Sequence, residues 1–214
     1  GGATTADAAA STAASDADLP FEWARCYCPL NAMPGGAVIT GQECDSDLMV
    51  TVRLQTPLLY WRERSRWMWH KKWSLPRIFV SVDVGAGVPL DRPLLAMISC
   101  GTLVAGDSEL HDQGLSGDCV QRLTASSGAL FEANFSSLLL TQTSFNCGNR
   151  PFHLLVTVLA APLQGAEPGE GGAQAQALAC LTSPPIHVDA RRRTRGERPD
   201  AQSSDVRLLV RQRS

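Results

Sequence analysis

Ile78-Phe79-Val80-Ser81-Val82-Asp83-Val84 is the stretch that decides the fold. Its even positions are all apolar, and its odd positions include Ser81 and Asp83. A side-chain period of two sends successive residues to opposite faces of a sheet, so this is a strand with one face in a core. The same period recurs along the chain. Leu48, Val50, Val52 and Leu54 alternate with Met49, Thr51, Arg53 and Gln55. The even positions of Phe152–Leu159 form one apolar face, and Ile186 and Val188 alternate with His187 and Asp189. Further strands are expected at Leu94–Cys100, Cys119–Thr124, Ala129–Phe135, Ser137–Thr141 and Leu178–Thr182.

Turn chemistry separates these runs. Met33-Pro34-Gly35-Gly36, Gly85-Ala86-Gly87, Ala105-Gly106-Asp107, Ser116-Gly117-Asp118 and Cys147-Gly148-Asn149 all carry residues that accept positive φ. Many short strands between such turns predict an all-β fold, an antiparallel β-sandwich with long loops. Strands and helices do not alternate, which argues against a doubly wound α/β fold. Gln164–Gln176 reads as a long flexible hairpin loop. Residues 1–18 are almost entirely Ala, Thr, Ser, Gly and Asp, and are expected to form a disordered tail. The sandwich is then expected over 19–193, with a basic, polar C-terminal extension over 194–214. No apolar run is long enough to span a bilayer.

The net charge of −2 conceals a strong local asymmetry. Residues 61–77 hold six bases and one acid, and residues 187–214 hold eight bases and four acids, while the rest of the chain is acidic. Two basic segments in an acidic chain point to an anionic partner. The second segment, Ser183-Pro184-Pro185-Ile186-His187-Val188-Asp189-Ala190-Arg191-Arg192-Arg193-Thr194-Arg195, delays its strand with two prolines and then releases a run of arginines. Guanidinium groups suit phosphate oxygens and guanine edges. A localisation signal is the competing reading.

The first segment is Trp61-Arg62-Glu63-Arg64-Ser65-Arg66-Trp67-Met68-Trp69-His70-Lys71-Lys72-Trp73. Aromatics interleaved with bases fit nucleic acid, and they also fit an anionic membrane surface. Some of these tryptophans are expected in the core, with Lys71, Lys72 and Arg77 exposed.

Catalytic patterns are weak. The four histidines are scattered, and no P-loop, dinucleotide fingerprint or Gly-x-Ser-x-Gly elbow is present, so no enzyme activity is expected. Seven cysteines at irregular spacings do not form an even disulfide framework, which favours a reducing compartment. Cys26-x-Cys28 has no partnering pair in the sequence. No metal site and no cofactor are therefore expected.

From Gly101 to Arg195 the chain resembles the immunoglobulin-like DNA-binding superfamily of Runt, Rel, STAT and tumour-suppressor domains. The order Gly101-Thr102-Leu103-Val104-Ala105-Gly106-Asp107, Ala129-Leu130-Phe131, Phe135, Phe152–Val158 and Ile186–Asp189, ending in arginines, is similar to Runt. The polar turn Phe145-Asn146-Cys147-Gly148-Asn149-Arg150, an aromatic-led strand, a Ser-Pro-Pro-Ile strand and a basic exit are similar to the meiotic-regulator and myelin-regulatory-factor domains. The resemblance implies an immunoglobulin-like sandwich that reads double-stranded DNA with end loops and with the segment after its last strand. Carried over by position, it assigns Arg150 to a basic loop and Arg191, Arg192, Arg193 and Arg195 to the exit. Lys71, Lys72 and Arg77 have no counterpart and are assigned to backbone phosphates. The expected function is sequence-specific DNA binding by a transcription regulator in the nucleus, with room for a protein partner subunit. A sandwich that binds only other proteins is the alternative.

Overall fold

The structure is a computed structural model that describes residues 20–44, 48–85, 92–103, 110–112, 114–162 and 173–190. In chain order the strands are β1 (Ala24–Arg25), β2 (Val38–Thr40), β3 (Met49–Leu54), β4 (Leu59–Trp61), β5 (Arg66–His70), β6 (Ile78–Asp83), β7 (Leu94–Leu103) and β8 (Leu110–Asp112). They continue with β9 (Leu115–Ser116), β10 (Val120–Arg122), β11 (Thr124–Ser127), β12 (Leu130–Phe135), β13 (Leu139–Leu140), β14 (His153–Ala160), β15 (Gln174–Thr182) and β16 (Ile186–Asp189). The only helical elements among the described residues are two short 3₁₀ turns, Arg62–Arg64 and Phe145–Cys147.

The architecture is an all-β sandwich. One sheet runs β1-β15-β14-β7-β10, with β2 added beside β15 and β8 beside β7. A second runs β11-β12-β6-β3, a third β16-β5-β4, and β13 pairs with β9. The main core lies between the sheets. Leu94, Ala96, Ile98, Leu154, Val156 and Val158 enter it from the first sheet, and Val52, Ile78, Val80, Val82 and Phe135 from the second. The alternation read in the sequence is the cause: in β6, Ile78, Val80 and Val82 are fully buried while Asp83 is exposed.

Strand β14 goes further than alternation. Every residue from Leu154 to Ala160 is buried, because both faces of this strand are covered. Leu155 and Leu159 point away from the main core into a second cluster with Cys28, Ile39, Met97, Ala177 and Cys180. The cover is the segment that carries β2. It bonds to the outer edge of the first sheet through the parallel β2–β15 pairing and through the antiparallel β1–β15 pairing.

Two expectations are revised. The loop expected over Gln164–Gln176 is shorter at its C-terminal end, since Gln174, Ala175 and Gln176 open β15. Ala175 and Ala177 are the buried residues of an alternating stretch, and such small side chains give a weak periodic signal. The Trp61–Trp73 segment, with no strand expected in it, supplies the end of β4, a 3₁₀ turn and all of β5. The expected tails, 1–18 and 194–214, lie outside the described residues.

After β15 the chain leaves the first sheet. The Ser183 backbone N–H donates to the Leu154 carbonyl, 2.9 Å, and the Leu154 N–H donates to Ser183 Oγ, 2.9 Å. Pro184 and Pro185 offer no N–H to continue the ladder, so the chain steps across to the third sheet and re-enters the core with Ile186 and Val188. Replacing fully buried Ile186 by Ala should lower unfolding free energy by about 2–5 kcal/mol in urea denaturation. Met49→Ala, at a side chain 70% exposed, should change it by less than about 0.5 kcal/mol.

Candidate nucleic-acid interface

The β16–β5 pairing determines where the basic segments go. It is parallel, in the register Ile186↔Trp67, His187↔Met68, Val188↔Trp69 and Asp189↔His70. One further bond continues it, from the Lys71 backbone N–H to the Asp189 carbonyl, 2.9 Å. Parallel strands end on the same side. Lys71 and Lys72 therefore leave β5 beside the point where Ala190 leaves β16, one residue before Arg191. Arg191, Arg192, Arg193 and Arg195 themselves lie outside the described residues.

The other edge of β16 is held by the turn that carries Arg150. Ser144 is fully buried and exchanges two bonds with Val188: its N–H donates to the Val188 carbonyl, 2.9 Å, and its Oγ accepts the Val188 N–H, 3.0 Å. Phe152 and Ile186 exchange both backbone bonds, at 2.7 and 2.8 Å. Between these anchors the chain makes a 3₁₀ turn and two left-handed residues, Gly148 (φ 66) and Asn149 (φ 61). Gly lacks the clashing Cβ, and Asn is among the residues that tolerate this region best. The Arg150 N–H closes the turn on the Cys147 carbonyl, 3.3 Å. The turn presents exposed Phe145, Asn146 and Arg150 to solvent.

Thus three segments far apart in sequence lie side by side: the end of β5, the end of β16 and the 144–152 turn. Lys72 and Arg150 are exposed, and Lys71 is half-buried. Exposed Trp73 joins them. Its ring stands 5.7 Å from that of Trp69, edge to face, and 5.1 Å from the His70 ring. The Trp69 Nε1–H donates to the Trp73 carbonyl, 3.2 Å, and the Lys72 N–H donates to His70 Nδ1, 3.2 Å. These bonds fix the Lys71-Lys72-Trp73 turn. Arg77 is also exposed, on the connection that runs from this turn to β6.

The Trp/Arg/Lys segment is split by the fold. Arg62 and Arg64 sit on the 3₁₀ turn at the opposite end of β5 from Lys71. The Arg64 guanidinium lies 4.1 Å from the Trp61 ring centroid, a cation–π contact. Trp67 is in the core, edge to face with Phe21 at 5.1 Å and Tyr60 at 5.0 Å. Within the expected mixture of packed tryptophans and solvent-facing bases, Lys71 is half-buried rather than exposed, and only the C-terminal third of the segment lies beside the end of β16. Asn146, Phe145 and Trp73 complete the candidate surface. The sequence marks the segments they belong to, but not that they are neighbours, because it is the seating of β16 that brings them together.

No protein-family model matches the chain, and no curated protein matches it either.

Ser144→Ala leaves the buried Val188 N–H without its acceptor. It should destabilise the fold by about 1–3 kcal/mol in chemical denaturation. A change below about 0.5 kcal/mol would mean that this contact does not hold the turn on β16.

Proposed function

We propose that the chain is the sequence-specific, double-stranded-DNA-binding domain of a nuclear transcription regulator. It grips DNA with the end of the sandwich where β5, β16 and the 144–152 turn meet. The single observation that carries this reading is the parallel register of β16 on β5, which brings Lys71 and Lys72 to the root of the arginine run. Had the two strands been antiparallel, the basic segments would leave opposite ends, as a pure protein-interaction module allows.

The chemistry follows from the residue types. Lys71 and Lys72 present compact charges and Arg77 a planar guanidinium, all of which suit backbone phosphates and release counterions on binding. Exposed Arg150 stands on a turn fixed by backbone bonds, so little backbone entropy is lost on contact, the cost being confined to its side chain. Arg191, Arg192, Arg193 and Arg195 offer planar forks of donors that suit guanine O6 and N7, or phosphates. The resemblance to immunoglobulin-like DNA-binding domains assigns reading to the same two parts, an end loop and the segment after the last strand. The fit of the Trp61–Trp73 segment to an anionic membrane surface loses support because Trp67, within it, is buried.

Selection from random duplex DNA supplies the target, and titration by fluorescence anisotropy tests the surface. Changing Arg191, Arg192 and Arg193 together to Ala should abolish measurable binding at moderate salt. Each of Lys71→Ala and Lys72→Ala should weaken binding to all sequences alike and reduce the slope of log K against log salt by about 0.9. Arg62→Ala with Arg64→Ala, at the far end of β5, should leave affinity unchanged. Undiminished binding by the triple arginine variant would refute the proposal.

A further inference from the structure

On the outer face of the first sheet, two sulfurs meet at the edge where β1 is added. The register of β1 on β15, Ala24↔Thr182 and Arg25↔Leu181, continues to Cys26 opposite Cys180. The Cys26 N–H donates to the Cys180 carbonyl at 3.0 Å, and the two sulfurs stand 3.6 Å apart. Both are free thiols. Opposed residues of a hydrogen-bonded antiparallel pair have Cα atoms about 5.5 Å apart, inside the roughly 4.4–6.8 Å that a disulfide spans. A single buried thiol is ordinary apolar packing. Two thiols facing each other across paired strands meet the backbone condition for a bond, so side-chain rotation alone can join them.

We propose that Cys26 and Cys180 form a site of reversible oxidation, at which a small disulfide of the glutathione type joins them into a cross-strand bond that fastens residues 21–26 to β15. The two positions divide the work. Cys26 is half-buried on the edge strand, which leaves it open to a solute. Cys180 is 1% exposed, on a strand paired on both sides, so it reacts with a sulfur already beside it. In the first step the Cys26 thiolate attacks one sulfur of the small disulfide. A mixed disulfide forms on Cys26, and one glutathione thiolate leaves. In the second step Cys180 gives up its proton and attacks the Cys26 sulfur. The Cys26–Cys180 bond forms, and the second glutathione thiolate leaves. The two protein thiol protons end on the two glutathione thiolates, and the two electrons lost by the protein sulfurs reduce the small disulfide. The acidities suit this order. The Cys180 hydrogen bond draws the Cys26 thiol below its ordinary value, and Cys180 is itself pushed up, chiefly through the same hydrogen bond, until Cys26 has reacted.

The bond acts where the fold is held lightly. β1 is two exposed residues at the edge of its sheet. The residues before it reach toward the third sheet: the Phe21 ring is edge to face with Trp23 at 5.7 Å and with Trp67 of β5 at 5.1 Å. Oxidation therefore ties the 21–26 stretch at both ends, by aromatic packing on β5 and by sulfur on β15. A cross-link between residues so distant in sequence also removes chain entropy from the unfolded state, so the oxidised chain unfolds at a higher temperature. Neither cysteine marks the other in the sequence; the register of β1 on β15 relates them.

The test treats the fully reduced chain with excess glutathione disulfide, blocks the remaining thiols by alkylation, and maps unreduced peptides by mass spectrometry. The wild-type chain should yield a peptide pair linking Cys26 to Cys180. Its thermal midpoint should rise by roughly 4–16 °C, and dithiothreitol should reverse both changes. Cys26→Ser should form no link to Cys180 and gain no thermal stability on oxidation. Cys180→Ser should stop at the mixed disulfide, with glutathione retained on Cys26. Cys119→Ser, outside the pair, should form the same link as the wild-type chain. Circular dichroism of the reduced variants identifies those that fold, and Cys26→Ser, at a half-buried edge position, keeps the test decisive if buried Cys180→Ser does not. A link from Cys180 to Cys28 instead, glutathione that stays on wild-type Cys26, or no oxidised product at all would overturn the proposal. A Cys26–Cys180 link without a rise in midpoint would contradict the fastening. None of these outcomes depends on whether the chain binds DNA.

Discussion

The seating of β16 is the constraint on which the candidate interface rests. This short strand is bonded on one side to β5 and on the other to Ser144 and Phe152, and it buries Ile186 and Val188 completely. Burying two branched aliphatic side chains is worth about 1.5–3 kcal/mol each. Its position is set one step earlier, at Ser183-Pro184-Pro185, where bonds to Leu154 end the first sheet and the prolines prevent its continuation. The register then allows one direction of exit. Fold stability and the placement of positive charge thus share the same few residues.

A second constraint acts on the opposite face of the same sheet. Strand β14 is buried on both sides, so the first sheet has to be covered on its outer face. The covering segment brings only modest apolar area of its own, chiefly Ile39 with Leu30 and Met33. Cysteines occupy the point where it meets the sheet.

Much of the fold was legible because period-two alternation is a direct consequence of one-sided burial. β6, β3, β12, β14 and β16 all fall where alternation of Val, Ile, Leu and Phe places them. The weaker cases have physical reasons. Alanines at 175 and 177 carry little hydrophobic signal, so the start of β15 read as loop. In β5 the inward Trp67 sits among arginines and other tryptophans, and a composition that suits a binding patch hid a strand with a core residue. The site residues were legible as types and not as neighbours. Lys71 and Arg150 are separated widely in sequence, and only the two edges of β16 relate them, one through its parallel pairing with β5 and the other through Ser144 and Phe152, neither of which alternation specifies.

Hydrogen–deuterium exchange with and without the selected duplex DNA tests the central claim most directly, since it reads the wild-type surface residue by residue. The account predicts added protection together at residues 70–73, 144–150 and 187–195, with the Arg62–Arg64 turn unchanged. Protection confined to the Arg62–Arg64 turn, or none along the β5–β16 exit, would contradict it.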